Sequence, residues 1–151
     1  MNNKNKISND SNTLNRFISA QQTIYQQVLK ELLNGKKTTH WMWFIFPQIE
    51  GLGHSSTAKY YSIKSINEAK EYLDHNILGK RLLECSNIIL NINGKSANEI
   101  FGYPDNMKLK SCMTLFNFVA LEHKVFADVL KKYFAGEPDE QTISILQKMK
   151  S

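Results

Sequence analysis

The residues most able to support chemistry lie in and around one aromatic block, residues 40–54. Its six consecutive apolar residues, beginning at Trp41, mark the centre of a core or the wall of a pocket, because aromatic side chains bury large surfaces. His40, Gln48 and His54 add polar groups around this run. His40 could act as a general acid or base, or it could bond to backbone at a helix start. The block contains no standard reaction motif, so it predicts a pocket more clearly than a reaction.

A glycine- and serine-containing loop, residues 51–56, follows the aromatic run. Glycines let backbone N–H groups converge on an anion, and a helix that starts behind them adds partial positive charge. The same composition is also typical of a plain turn between helices. Glu50, directly before the loop, is either a partly buried general base or an exposed loop carboxylate.

A second polar segment lies in residues 105–116, which the pattern assigns to a helix. On a helix Lys108 and Ser111 share one face, whereas Lys110 and Thr114 share another. Small polar residues beside a lysine can face a phosphate-bearing ligand. They can equally form the boundary between the buried and exposed faces of a helix.

The positive charge of the chain is nearly all lysine. The formal net charge is +5 and the isoelectric point about 9.1, yet only Arg16 and Arg81 are arginines. In such a chain a remaining arginine can grip a carboxylate or phosphate through two parallel hydrogen bonds, or it can form an ordinary surface ion pair. The short lysine clusters do not make the dense basic stripe typical of nucleic-acid-binding proteins, so no nucleic-acid partner is predicted.

These residues suggest one polar-aromatic pocket for a small phosphorylated or nucleotide-like ligand. Arg16 or Lys108 would neutralise a phosphate. Trp43 would stack on a flat ring that His40 or Gln48 orients. The predicted ligand-binding residues come from four segments and are Arg16, Gln21, Tyr25, His40, Trp43, Gln48, Ser55, Lys108, Ser111 and Thr114.

Other standard chemistry is absent from the sequence. It contains no GxGxxG, GxxxxGK[ST], HExxH or GxSxG motif. The four histidines never pair at i,i+3 or i,i+4, so neither a local metal site nor a cofactor is predicted. Cys85 and Cys112 lie in apolar stretches and are predicted to be buried free thiols. Whether a reaction is catalysed stays open, with His40 as the candidate catalytic residue.

The elements that must position these residues are predicted to be helices. Apolar residues recur at spacings of three and four from Leu14 to Leu32, which predicts one long helix that ends before Gly35. By periodicity alone the aromatic run could be a short buried helix ending at Pro47 or a buried strand. Helix is preferred, because no second strong strand exists to satisfy the backbone groups of a strand here.

Capping signals divide the rest of the chain into further helices. Residues 65–68 and 96–99 each read as a capping box, in which a serine and a glutamate bond to each other's backbone N–H groups. Further predicted N-caps are Ser55 or Ser56, Asp105 and Asp139. The resulting prediction is an all-α fold: a compact, irregular multihelical single domain of about seven or eight helices over residues 13–151, after a disordered lead-in at residues 1–12.

The sequence also limits the cellular context. No stretch approaches the ~20 apolar residues that cross a bilayer, and residues 1–11 lack the apolar region of a secretory signal. We therefore expect no membrane partner and a cytoplasmic location.

With these features described, the chain resembles a small bacterial and fungal family catalogued as domain of unknown function 1810. The similarity runs from about residue 14 to residue 147 and is most specific in residues 40–53. Other matching positions include Arg16-Phe17, Gly79 with Arg81-Leu82, residues 100–102, Lys108-Leu109 and Tyr133-Phe134. The resemblance implies an irregular all-α fold and no particular activity. It departs from the usual pattern at His75-Asn76, where similar sequences have His-Pro, and this puts the rigidity of that turn in doubt.

Some family members carry the label calpastatin, which does not fit this chain. Calpain inhibitors of that name are long disordered chains with repeats, whereas this sequence has a compact helical pattern. A different class of function remains as the alternative: a protein-interaction or regulatory module without catalytic activity. Such a module predicts an exposed apolar patch larger than a few hundred Å² and no closed pocket.

Overall fold

The computed structural model describes residues 14–150, and within that range the backbone forms ten helices. They are α1 (residues 14–22), α2 (Tyr25–Leu33), α3 (Met42–Ile45), α4 (Ser56–Tyr60), α5 (Ile66–Asp74), α6 (Leu78–Leu90), α7 (Ala97–Phe101), α8 (Asp105–Val119), α9 (Lys124–Phe134) and α10 (Glu140–Lys150). Extended pairing in the described residues is limited to one parallel bridge between Ile49 and Ile63. The all-α class is confirmed, but the number of helices exceeds the predicted seven or eight. The lead-in predicted at residues 1–12 lies outside the described residues.

The predicted long first helix is two helices. Ile24 turns the chain with φ −117° and ψ −2°, and its N–H bonds to the carbonyl of Gln21, three residues back. Thr23 and Ile24 are both β-branched and poorly suited to a helix interior, which favours a break here. This split adds one helix to the number predicted, and the single-turn helices α3, α4 and α7, of four or five residues each, are also counted among the ten.

A glycine ends α2 as the sequence predicts. Gly35 has φ +71°, and its N–H donates to the carbonyl of Leu32 at 2.9 Å. The N–H of Lys36 donates to the carbonyl of Glu31 at 3.0 Å, which completes a Schellman motif. This arrangement turns the chain sharply from α2 into the segment that leads to the aromatic block.

The aromatic run is a short buried helix, as predicted, and extended backbone follows it. After Pro47 the carbonyl of Gln48 accepts from the N–H of Ile63, and the N–H of Glu50 donates to the carbonyl of Ile63, both at 2.8 Å. The bridge therefore pairs backbone groups of the extended segment that follows α3.

Helix α8 is the centre of the fold and is buried on nearly every side. It packs against α5, α7, α9 and α10, and α6 packs against α2, α5 and α9. Cys112 of α8 and Cys85 of α6 are buried free thiols, as predicted. Burial raises the pKa of Cys85 to about 12. Neither thiol is therefore a ready nucleophile near neutral pH.

The two predicted capping boxes have different outcomes. Ser96 and Glu99 form the complete box, with bonds of 3.1 and 2.8 Å. Ser65 accepts from the N–H of Glu68 at 3.0 Å, but the Glu68 carboxylate does not return to Ser65. It accepts instead from the N–H of Lys64 at 2.9 Å and from an arginine described below. The prediction of a capping box at residues 65–68 is therefore only half right, because the Glu68 carboxylate forms an ion pair instead of bonding to the N–H of Ser65.

The predicted aspartate caps also differ. Asp139 accepts from the N–H of Thr142 at 3.0 Å and caps α10 as predicted. Asp105 does not cap α8: it is the first helical residue, and its carboxylate pairs with Lys37 at 2.8 Å and Lys108 at 3.2 Å. Two lysine partners thus occupy the carboxylate that would otherwise bond to backbone.

A glycine allows the close approach of α5 and α6. A Cβ at Gly79 would lie 1.8 Å from the carbonyl oxygen of Leu73 at the end of α5. Gly79 therefore lets the first turn of α6 pack directly against α5. In the described part of the chain, no helix combines the length and apolarity needed to cross a bilayer.

Candidate functional site

A cleft of about 580 Å³ lies beside α2 and the first half of α6. Tyr25 and Gln26 line it from α2, whereas Lys80, Arg81 and Glu84 line it from α6. Asn76 and Ile77, from the turn before α6, complete the lining. The cleft thus combines an aromatic ring, two cations and one carboxylate.

Arg81 is held in a fixed position at this cleft. Its guanidinium carbon lies 4.5 Å from the centre of the Tyr25 ring, a cation–π contact. Its Nη1 donates to Oε1 of Gln21 at 3.2 Å. Among residues 14–150 no carboxylate forms an ion pair with Arg81. The side chain is therefore ordered by neutral groups, and its charge is not neutralised by a carboxylate of the described chain.

Gln21 orients Arg81 from the core. Gln21 is 1% exposed, and its Nε2 donates to the carbonyl of Phe44 at 2.7 Å and to the hydroxyl of Tyr72 at 3.1 Å. Both amide hydrogens are used, so the oxygen is the group left to face Arg81. Gln21 links the aromatic block to the cleft in this way.

Tyr25 contacts Arg81 through its ring and Glu84 through its hydroxyl. The hydroxyl donates to Oε1 of Glu84 at 2.5 Å, and the thiol of Cys85 lies 3.7 Å from it. Burial, followed by the proximity of Cys85 and Glu84, raises the pKa of Tyr25 well above its ordinary value. Tyr25 therefore stays protonated and acts as a donor and a stacking surface, not as a base.

Arg16, the other arginine, lies in a separate and internally satisfied site. Its Nη2 forms an ion pair with Glu68 at 2.8 Å, with the two side chains only 8% and 9% exposed. The Nε of Arg16 donates to the carbonyl of Tyr60 and its Nη2 to that of Ser62, each at 2.8 Å. Arg16 thus grips a carboxylate of its own chain and ties α1 to α4 and α5.

The predicted aromatic pocket is nearly closed. Lys108 lies with its Nζ 4.3 Å from the centre of the Trp43 ring and also pairs with Asp105. The cavity that Trp43 and Gln48 line has a volume of about 20 Å³. Such a space admits a water molecule but not a flat ring. His40 is exposed in the segment before α3.

The glycine–serine loop serves local packing. A Cβ at Gly53 would lie 2.5 Å from the Cβ of Ala58. Ser55 accepts from the N–H of Ala58 at 3.1 Å and caps α4. These contacts favour the plain turn over an anion-binding loop.

The polar residues of α8 bond within the protein. Ser111 donates to the carbonyl of Met107 at 3.2 Å. Thr114 donates to the carbonyl of Lys110 at 2.8 Å and accepts from the N–H of Asp139 at 2.9 Å. Thr114 also lines a separate cleft of about 320 Å³. Both residues are buried, and Thr114 helps to hold the start of α10 against α8.

Glu31 is a buried carboxylate that the sequence did not single out. It accepts from the Trp41 indole N–H at 2.9 Å, from the backbone N–H groups of Thr38 and Thr39, and from the side chains of Thr39 and Gln27. Burial opposes its ionisation, but these bonds, that from the Thr39 hydroxyl first among them, lower its pKa to about 2. Glu31 therefore anchors the start of the aromatic block.

Of the ten predicted ligand-binding residues, only Tyr25 lines the α2–α6 cleft; Gln21 is buried behind it and bonds to Arg81, and the others lie elsewhere. Lys80, Arg81 and Glu84 were not in the predicted set. The scarcity of arginine in a lysine-rich chain singles out Arg81 as well as Arg16, but the predicted set contains only Arg16. In residues 14–150 the His, Cys, Asp and Glu side chains form no group of three or more that could hold a metal ion.

Comparisons with known proteins agree with the fold and name no activity. A family model described as "Protein of unknown function (DUF1810)" matches residues 11–146. The crystal structure of the conserved hypothetical protein Rv1873 from Mycobacterium tuberculosis is 46% identical, with a TM-score of 0.88, over 89% of this chain and 96% of that one. No curated protein is significantly similar to this chain.

Proposed function

The chain belongs to the DUF1810 family of proteins of unknown function, and we propose that it binds a small phosphorylated ligand in the α2–α6 cleft. The observation that carries the proposal is Arg81, which is rigidly placed yet lacks a carboxylate partner among the described residues. A guanidinium presents parallel N–H donors that match the oxygens of a phosphate. Its attachment to Tyr25 and Gln21 lowers the entropic cost of binding, because the side chain is already ordered.

The surroundings of Arg81 favour an anion on one side of the cleft. Lys80 lies next to it in the chain and lines the same cleft. Both residues stand in the first turn of α6, a helix of 13 residues, where the helix dipole also favours negative charge. A phosphate in this part of the cleft meets two cations.

Glu84 sets a limit on what the ligand can be. It lines the same cleft and carries negative charge, so it repels a phosphate placed directly against it. A carboxylate instead accepts hydrogen bonds from ligand hydroxyls. The cleft therefore suits a ligand with a phosphate at Arg81 and hydroxyl groups at Glu84, such as a sugar phosphate. Chemistry on that ligand has no identified catalytic group, since Tyr25 is held as a donor.

The test is binding of ribose 5-phosphate, measured by thermal shift and by titration calorimetry, in wild type and in Arg81→Ala. We expect wild type to bind, and the variant to bind about tenfold to a hundredfold more weakly, the range for a lost charge-assisted hydrogen bond. Lys131→Ala is the matched control, because it removes one exposed cation from α9 outside the cleft. We expect its affinity to equal that of wild type.

Two outcomes contradict the proposal. One is a folded Arg81→Ala protein that binds ribose 5-phosphate as tightly as wild type. The other is a wild-type protein whose melting temperature and titration heats do not respond to ribose 5-phosphate. Either result would favour the alternative, a protein-interaction or regulatory module without catalytic activity.

A further inference from the structure

A second cleft, of about 610 Å³, adjoins the first and shares Glu84 with it. It lies beside the C-terminal half of α6 and the end of α2. Leu33 and Ile88 contribute apolar surface to it, and Asn87 and Asn91 contribute side-chain amides. Leu33 is 71% exposed, which is high for a leucine at the wall of a cleft. We infer that this second cleft receives the nucleobase of a nucleotide whose phosphate is bound at Arg81. The inference rests on the proposed function.

The order of side chains along α6 carries this inference. Arg81, Glu84 and Ile88 follow one another at spacings of three and four, so they lie along one face of the helix. With a rise of 1.5 Å per residue, Glu84 lies about 4.5 Å and Ile88 about 10 Å along the helix axis from Arg81. A cation, a carboxylate and an apolar residue thus occur in the order in which a nucleotide presents its phosphate, its ribose hydroxyls and its base.

The chemistry of the second cleft fits a base better than a plain hydrocarbon group. The Nδ2 of Asn87 donates to the carbonyl of Leu83 at 2.9 Å, and that of Asn91 donates to the carbonyl of Asn87 at 2.8 Å. These bonds fix both amides on the helix and leave their oxygens as acceptors. An acceptor beside an apolar surface suits a flat ring that carries an amino group. Adenine is such a ring, with an apolar face and an amino group on its edge.

The experiment compares AMP with ribose 5-phosphate by titration calorimetry on the full chain. The two probes share the ribose and phosphate and differ in the base. We expect wild type to bind AMP about tenfold more tightly than ribose 5-phosphate, because burial of a base against leucine and isoleucine adds favourable free energy. An equal affinity for the two probes would overturn the inference and leave the proposed function intact.

A pair of leucine variants locates the base. Leu33→Ser should weaken AMP binding about threefold to tenfold and leave ribose 5-phosphate binding unchanged. Leu121→Ser is the matched control, since Leu121 is 75% exposed and does not line the second cleft. It should change neither affinity. Both leucines are exposed, so both variants should keep the wild-type melting temperature.

The remaining outcomes separate the two proposals. If Leu33→Ser has no effect on AMP, or weakens both probes equally, the base does not lie in the second cleft and the inference fails alone. If neither probe binds wild type, the inference and the proposed function fail together.

Discussion

Arg16 and Arg81 carry the same side chain and differ in what surrounds it. Arg16 lies 2.8 Å from Glu68 and is nearly buried, so its charge is neutralised and its donors bond to backbone carbonyls. The Arg81 guanidinium packs on the Tyr25 ring and donates to an amide oxygen. Among the described residues it forms no ion pair with a carboxylate. Removing a partner of a buried ion pair costs stability. Arg16 therefore stabilises the fold, whereas Arg81 is the arginine that we propose as a ligand-binding residue.

A second single residue, Glu31, gives a prediction for the stability of the protein at low pH. Its pKa is lowered from 4.5 to about 2 in the folded protein, so the unfolded chain takes up a proton at higher pH than the folded chain. Its contribution is complete above about pH 4.5 and is lost as the pH falls from there to about 2. This lowering of the pKa corresponds to a contribution of Glu31 to the free energy of unfolding on the order of 3 kcal/mol.

The measurement is urea unfolding of wild type and Glu31→Gln as a function of pH. At neutral pH Glu31→Gln should be less stable by roughly this amount, and the difference should shrink as the pH falls towards 2. Glu122→Gln, at an exposed carboxylate between α8 and α9, is the control and should follow wild type. A constant difference between wild type and Glu31→Gln at all pH values would contradict the prediction, because the stabilisation would then not depend on the charge of the carboxylate.

At the scale of elements, the site depends on the contact between α5 and α6. Gly79 allows the backbone of α6 to meet the end of α5, and Lys80 and Arg81 are the next two residues. The Gly79 contact therefore sets where both cations stand. The rigidity of the α5–α6 turn also has a local source: Nδ1 of His75 accepts from the N–H groups of Ile77 and Leu78 at 3.1 and 3.2 Å. This bonding orders the turn although the proline usual after the histidine is missing.

Gly79→Ala tests this contact. The new methyl group would lie 1.8 Å from the Leu73 carbonyl oxygen, and backbone cannot rotate away as a side chain can. We expect a loss of about 3 kcal/mol in the free energy of unfolding, at the upper end for overpacking, despite the better helix propensity of alanine.

Gly94→Ala is the comparison, because a Cβ there meets nothing within 4 Å and only its φ of +76° is strained. It should cost about 1 kcal/mol. Equal losses in the two variants, measured by urea unfolding, would mean that the α5–α6 approach is not tight.

For the whole molecule, one buried core joins the helices. Residues from nine of the ten helices, all but α4, take part in the buried hydrophobic cluster. Trp41, directly before α3, is fully buried in that cluster, as is Leu146 of α10 far along the chain. A single core predicts a single cooperative unfolding transition over the described residues.

The test uses two signals in a Trp43→Phe variant, which leaves Trp41 as the sole tryptophan. Its fluorescence reports on packing around α3, and far-ultraviolet circular dichroism reports on all helices. The two urea midpoints should coincide. Separate midpoints would show that the α3 region unfolds independently and that residues 14–150 do not form one cooperative unit.

The sequence by itself determined the class of the fold and most helix boundaries. Apolar spacing of three and four, capping residues such as Ser96 and Asp139, and Gly35 after α2 are local signals, and each acts on backbone within a few residues. The burial of Cys85 and Cys112 followed in the same way from their apolar neighbours. Local signals failed where a distant charge competed, as when Lys37 took the Asp105 carboxylate.

Only the tertiary structure decided which polar residues meet. Arg16 and Glu68 lie 52 positions apart in the chain, as Gln21 and Arg81 lie 60 apart, and neither pairing leaves a periodic trace in the sequence. The predicted aromatic pocket is another case that the sequence could not decide, because the cavity between Trp43 and Gln48 has a volume of only about 20 Å³. A residue's type fixes which bonds it can make, but long-range packing fixes which partners are within reach. For that reason Arg81, and not Arg16, stands at the cleft.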